Sequence, residues 1–212
     1  MIWAICIYVV LVTGLLLSEL LSNLRAQRIF KPLAALGFIG LALYAGALDT
    51  LYGQIILSGL VVCAFGDVLL LSRKSSQLFL AGMGAFALGH FAYLTAFMTQ
   101  QTGVYSTVYL VVSMIGIGGA VGFYAWLKPK LPRGMAIPVG IYTGIIILMV
   151  IRSFGLPMNG PMIFAPIAAV LFAVSDMFVA RDRFVTPSPK NAWAITPLYF
   201  GAQALFALST QI

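Results

Sequence analysis

Charge is what this chain has least of. Only 8% of its 212 residues are Asp, Glu, Lys or Arg, against about 25% in a soluble domain. That leaves too little polar surface to coat a water-exposed sphere, so a soluble globular domain is excluded. With 62% hydrophobic residues, a disordered chain is excluded too. Acids are scarcest: five, beside twelve Lys and Arg. There is one histidine, and the two cysteines, Cys6 and Cys63, sit singly in apolar runs. Such spacing makes neither a disulfide framework nor a metal motif. No Ser-x-Gly elbow stands out. The glycine-rich stretch 116–122 lies inside an apolar run with no strand before it, so it is a weak phosphate-loop candidate.

What the chain has is long apolar runs. A spanning helix needs roughly 17–25 such residues. The runs are Ile2–Leu21, Leu33–Leu48, Gln54–Leu71, Leu78–Met98, Val104–Leu127, Met135–Ile151, Pro161–Ala180 and Ala192–Ile212. These predict an all-α fold: a polytopic bundle of eight transmembrane helices, residues 1–212 forming one domain with short loops. No positive region precedes the first run, and Arg25 and Arg28 follow it. A cleaved signal has the opposite polarity, so this run reads as a first span.

The loops supply an independent test. Arg25, Arg28 and Lys31 follow span 1; Arg73 and Lys74 follow span 3. Lys128, Lys130 and Arg133 follow span 5; Arg181, Arg183 and Lys190 follow span 7. Only Arg152 falls elsewhere. Basic loops stay cytoplasmic, so both termini are expected to be non-cytoplasmic. The net charge of +7 then reflects topology and anionic headgroups, and no nucleic-acid partner is expected. Short loops and the lack of further targeting segments point to a bacterial inner membrane, with an internal eukaryotic membrane as the alternative.

Small residues at four-residue spacing let helices approach: Ala81, Ala85 and Gly89; Gly118 and Gly122; Ala165, Ala169 and Ala173. They read as packing within the bundle, with homodimerisation through one of them as the alternative. Pro138, Pro166 and Pro197 lie in or near spans and are candidate kinks.

Ionisable groups inside a bilayer cost roughly 2.5–3.5 kcal/mol on insertion scales and tend to be functional. Glu19, Asp49 and Asp182 fall at span ends or in loops and are set aside as solvated or ion-paired. Asp67 and Asp176 remain. Each lies four residues before the end of its run, about 6 Å inside the cytoplasmic boundary. His90 is well inside span 4, sharing a face with Phe86, Tyr93 and Phe97. Tyr142 is central in span 6, and Tyr199 and Gln203 stand one turn apart in span 8. Lys31-Pro32 is read as opening span 2, the proline in the first turn. One reading of these groups is structural: acids bonded to neighbouring helices or paired with Arg73 or Arg181, Tyr and Gln as interhelical glue. Another is a proton-coupled transporter of lipid or small molecules, with His90 as relay. A third is a lipid-binding sensor. Asp67, Asp176 and His90 fall short of an ordinary zinc ligand set; no metal or cofactor is expected, a metal held by these three being the open alternative.

At these residues the chain resembles the lysoplasmalogenases, the YhhN-like family of small multispan proteins. The matching pieces are "KPL" at 31–33, "FGDVLLL" at 65–71, "FLAGMGAFALGHFAYLTAF" at 79–97, "LFAVSDMFVARDRF" at 171–184 and "PLYFGAQALFALS" at 197–209. Pro166 departs from the pattern, where a small residue is expected. The resemblance implies a hydrolase of the vinyl ether bond of lysoplasmalogens, releasing a fatty aldehyde and a glycerophospho-base; the partners are then the lysophospholipid and the bilayer. An enol ether resists nucleophiles and yields to acid through an oxocarbenium ion. Two carboxyls in different protonation states answer a similar need in glycosidases. Asp67 and Asp176 are the expected acid–base pair, their order left open. His90 and Tyr199 would orient a carboxyl or water, and Lys31 or Arg73 would meet the phosphate. The alkenyl tail would run toward His90, Tyr93 and the aromatic face of span 4, with Tyr142 and Gln203 completing the substrate site.

Overall fold

The computed structural model describes residues 1–71, 75–100 and 106–211. It is all-helical: α1 (Ile2–Leu20), α2 (Leu24–Tyr44), α3 (Leu51–Leu70), α4 (Ser76–Thr99), α5 (Thr107–Leu127), α6 (Ala136–Ser153), α7 (Phe164–Phe184) and α8 (Ala192–Leu208). Seven are long and apolar enough to cross a membrane. The eighth, α8, has 17 residues, the short limit of a crossing helix. The outward faces carry Ile2, Trp3, Leu36, Met114, Ile137 and Trp193, all more than half exposed, a surface suited to lipid rather than water. This is the architecture of an integral, multi-pass membrane protein.

Polar side chains start several helices where the apolar runs begin. Asn23, Thr50, Ser75 and Ser106 each accept a backbone N–H from three residues on, heading α2, α3, α4 and α5. Helix and apolar run do not coincide everywhere. Arg25, Arg28 and Lys31 are not in a loop: α2 begins at Leu24, and Pro32 lies inside it. At the membrane surface a helix can leave hydrocarbon without ending, because the Asn23 cap and not hydrophobicity sets its start. Likewise α7 continues past Ala180 through Arg181 and Arg183, cations that suit a helix C-terminus. Asp176 is therefore two turns from its helix end, while Asp67 is one. Pro138 and Pro166 fall in first turns of their α-helices, where the missing N–H has little cost; Pro197 is internal to α8.

The helices run up and down. At one end Lys31 of α2 meets Asp67 near the end of α3, and Thr196 of α8 donates to Glu19 near the end of α1. There too the Arg183 guanidinium of α7 stacks on Phe79 of α4. At the other end Tyr52 at the start of α3 bonds Ser209 just past α8. The α3–α4 crossing is tight: a Cβ on Gly89 would fall 2.4 Å from Cys63 Sγ and 3.2 Å from the Gly59 carbonyl oxygen. Ala165 and Ala169 are buried as expected. Ala81 is exposed, however, and Gly118 and Gly122 have open space where a side chain would be. The reason lies in α5, which rests on α6 through Gly116, opposite Ile147. Gly118 and Gly122 are exposed and take no part in that contact.

Candidate functional site

Asp67 occupies the last turn of α3 with its side chain 2% exposed. Gly66 beside it lets the Phe86 ring close over the helix. Two donors reach the carboxyl: Lys31 Nζ lies 3.4 Å from Oδ1, and the Tyr199 hydroxyl donates to Oδ2 at 2.5 Å. Tyr199 is itself held, accepting from Gln203 Nε2 at 3.0 Å, while Gln203 Oε1 accepts from the Tyr93 hydroxyl at 2.7 Å. One line of donors thus runs Tyr93, Gln203, Tyr199, and ends on the Asp67 carboxyl.

Asp176 is surrounded differently. Its side chain is 14% exposed. The Tyr142 hydroxyl donates to Oδ2 at 2.9 Å, and His90 Nε2 lies 3.4 Å from the same oxygen. The His90 side chain is fully buried. Its Nδ1 contacts the Phe86 carbonyl oxygen at 2.5 Å. The Phe172 ring stands between the two clusters, its centroid 4.3 Å from His90 and 5.2 Å from Tyr199.

Both carboxyls open onto one cavity of about 420 Å³, lined also by Lys31, Tyr142 and Tyr199. The walls from α4 (Phe79, Met83, Phe86) and α5 (Ile115, Gly116, Gly119, Ala120, Phe123, Leu127) are wholly apolar. The volume is that of a small-molecule site, apolar over most of its wall with a polar end that carries Lys31, Asp67, Tyr142, Asp176 and Tyr199. His90, Tyr93 and Gln203 are not among the lining residues. His90 stands behind Asp176, Gln203 behind Tyr199, and Tyr93 behind Gln203. The apolar extension therefore runs along α5 and α6, not along Tyr93 and Phe97, which are in the core. Among the described residues no three of His, Cys, Asp and Glu converge as a metal-ligand group. Arg73 lies outside the described residues.

Sequence reasoning passed over three residues. Glu19, set aside as solvated or ion-paired, is half-buried and hydrogen-bonded to Thr196. Asp182, placed in a loop, closes the α7–α8 turn by accepting from the Ser188 amide and Asn191 Nδ2. Phe172 carried no signal beyond its apolarity.

A family model described as the YhhN family matches residues 26–210. The lysoplasmalogenase TMEM86A of Bos taurus is 36% identical over 157 residues, 71% of this chain and 62% of that protein. The human lysoplasmalogenase TMEM86B is 32% identical over 160 residues, 74% of this chain and 64% of that protein. A lysoplasmalogenase of Mycobacterium bovis is 30% identical over 150 residues, 69% and 56% of the two chains. The chain thus spans under two thirds of the length of these curated relatives. No solved structure matches it. A match over nearly the whole described bundle, taking in both carboxyl clusters, makes this chain a member of the YhhN family.

Proposed function

We propose that this chain is a membrane hydrolase that cleaves the vinyl ether bond of lysoplasmalogens, one of its two buried aspartates serving as acid and the other as base. The observation that carries this is the shared cavity, with Asp67 and Asp176 on its wall and apolar sides from α4 and α5. The names of the relatives support the substrate, and the vinyl ether's chemistry supports the pair. Protonation of the β-carbon generates an oxocarbenium ion, water adds, and the hemiacetal collapses to aldehyde and glycerol hydroxyl. Each stage gives up or takes back a proton, which two carboxyls in opposite states can exchange.

In this reading the alkenyl tail lies along α5 and α6, and the phosphate sits by Lys31, with Arg183 at the rim over Phe79. The cavity lies at the helix ends that gather most of the basic residues. The charge rule makes those ends cytoplasmic and both termini external. A bacterial inner membrane is the proposed setting, on the strength of the short loops.

The test is aldehyde release from a vinyl-ether lysolipid by purified protein in detergent, where no sealed compartment exists. Wild type is expected to turn over. Asp67→Asn and Asp176→Asn, each shown to be folded, are expected to lose about 10²- to 10⁴-fold. Turnover near the wild-type rate in either variant removes that residue from the chemistry. No product from wild type leaves the proton-coupled transporter as the reading of the same acids.

A further inference from the structure

We propose that His90 and Asp176 hold one proton between them, and that this pair is the acid of the reaction while Asp67 is the base. The allocation rests on the hydrolase reading above; the shared proton does not.

A carbonyl oxygen can only accept. The 2.5 Å contact between His90 Nδ1 and the Phe86 carbonyl therefore fixes a proton on Nδ1. In the neutral ring Nε2 is then bare, and it is fully buried with no hydrogen-bond partner. It faces Asp176 Oδ2 at 3.4 Å. A lone pair opposite an ionised carboxylate is repulsive and leaves the buried Nε2 unsatisfied. One proton between them removes the conflict, whether it rests on the carboxyl or on the ring. The Tyr142 hydroxyl, donating to the same oxygen, holds the carboxyl in place and supports it once the proton has left.

Asp67 needs no such proton. It is paired with the Lys31 ammonium at 3.4 Å and accepts from Tyr199, and Tyr199 is turned toward it by Gln203 and Tyr93. Only Asp176 of the pair lines the cavity, so Asp176 touches substrate and His90 is a positioning residue. The cycle closes without an outside reagent. The pair's proton goes to the β-carbon. Water attacks the oxocarbenium carbon and yields a proton to Asp67. As the hemiacetal collapses, Asp67 returns that proton to the leaving glycerol oxygen, and the hemiacetal hydroxyl proton restores the Asp176–His90 pair.

His90 is the one histidine of the chain, so protein labelled with ¹⁵N-histidine, any purification tag removed, gives a single imidazole spectrum. Protonated Nδ1 is expected, with an Nε2 signal that moves on Asp176→Asn. A neutral ring protonated at Nε2 and bare at Nδ1, or an Nε2 signal indifferent to Asp176→Asn, overturns the proposal. Neither readout depends on turnover, so inactive wild type would sink the hydrolase reading and leave the shared proton standing. In active protein, His90→Phe keeps a ring beside Phe172 and is expected to lower kcat by about 10²-fold with KM within about threefold. Unchanged kcat, or a loss carried wholly by KM, contradicts the role. Should that variant fail to fold, the spectrum of wild type against Asp176→Asn decides alone.

Discussion

Lys31 has two tasks, and they can be separated. Its ammonium offsets the charge of Asp67, whose side chain is nearly sealed from solvent, while its own side chain keeps 19% exposure. Removing the cation leaves a buried carboxylate without its ionic partner. Lys31→Met is therefore expected to lower stability toward the small end of the roughly 3–5 kcal/mol seen for broken buried pairs, because water still reaches the amine's position. The double variant Lys31→Met, Asp67→Asn removes both charges and should recover most of that loss in a detergent melting experiment, yet stay inactive. If the double variant melts as low as the single one, the ion pair is not what Lys31 supplies. At this scale the sequence was legible where burial is costly. Asp67 and Asp176 stood out because carboxyls in an apolar run are rare. Which donor meets which carboxyl was not legible. Pairing depends on how each helix is rotated about its axis, and helices that are apolar all round carry no amphipathic stripe to fix that rotation. Hence Tyr93 and Gln203, read as substrate contacts, lie behind Tyr199 and off the cavity wall, whose apolar lining comes largely from α4, α5 and α6 instead.

Among the helices, α5 is the least embedded: only Leu127 on it is buried, and it rests on α6 while closing one side of the cavity. Its glycines divide the work. Gly116 sits against Ile147, whereas Gly119 lines the cavity with open space where a Cβ would be. A phenylalanine at 119 projects into that space without displacing a neighbouring helix. Gly119→Phe is expected to reduce kcat/KM for long-tailed vinyl-ether lysolipids roughly tenfold or more. Short-tailed ones should stay within about twofold, measured across a series of tail lengths. Equal losses at every length would place the tail elsewhere. Apolar runs located all eight helices, because length and composition are enough for a membrane span. They missed the ends of α2 and α7, since a helix that emerges into headgroups loses its hydrophobicity before it loses its hydrogen bonds. The stripe Gly118–Gly122 failed for a related reason: small residues permit close approach but do not choose a partner.

For the molecule as a whole, charge distribution supports one proposed orientation once the up-and-down arrangement is given. Eleven of the twelve Lys and Arg belong to the connections after helices 1, 3, 5 and 7 or to the turns beside them. Arg152, the twelfth, lies at the other end, its guanidinium 3.5 Å from the Tyr109 hydroxyl. Basic segments resist translocation, so the carboxyl cavity should face the cytoplasm and both chain ends the opposite side. The consequence can be measured on cysteine variants made after replacing Cys6, which is exposed, and Cys63 by alanine. Pro132→Cys and Asn159→Cys fall at exposed positions in the connections after α5 and α6. A membrane-impermeant maleimide should label residue 159 in intact cells and residue 132 only in inverted vesicles. The reverse pattern would turn the cavity outward and place aldehyde release on the far side of the membrane. Labelling of both positions from one side would mean that α6 does not cross at all. Tyr142, which α6 carries to Asp176, would then have no bilayer to be buried in, and the low-dielectric setting on which the two-carboxyl chemistry depends would be lost with it.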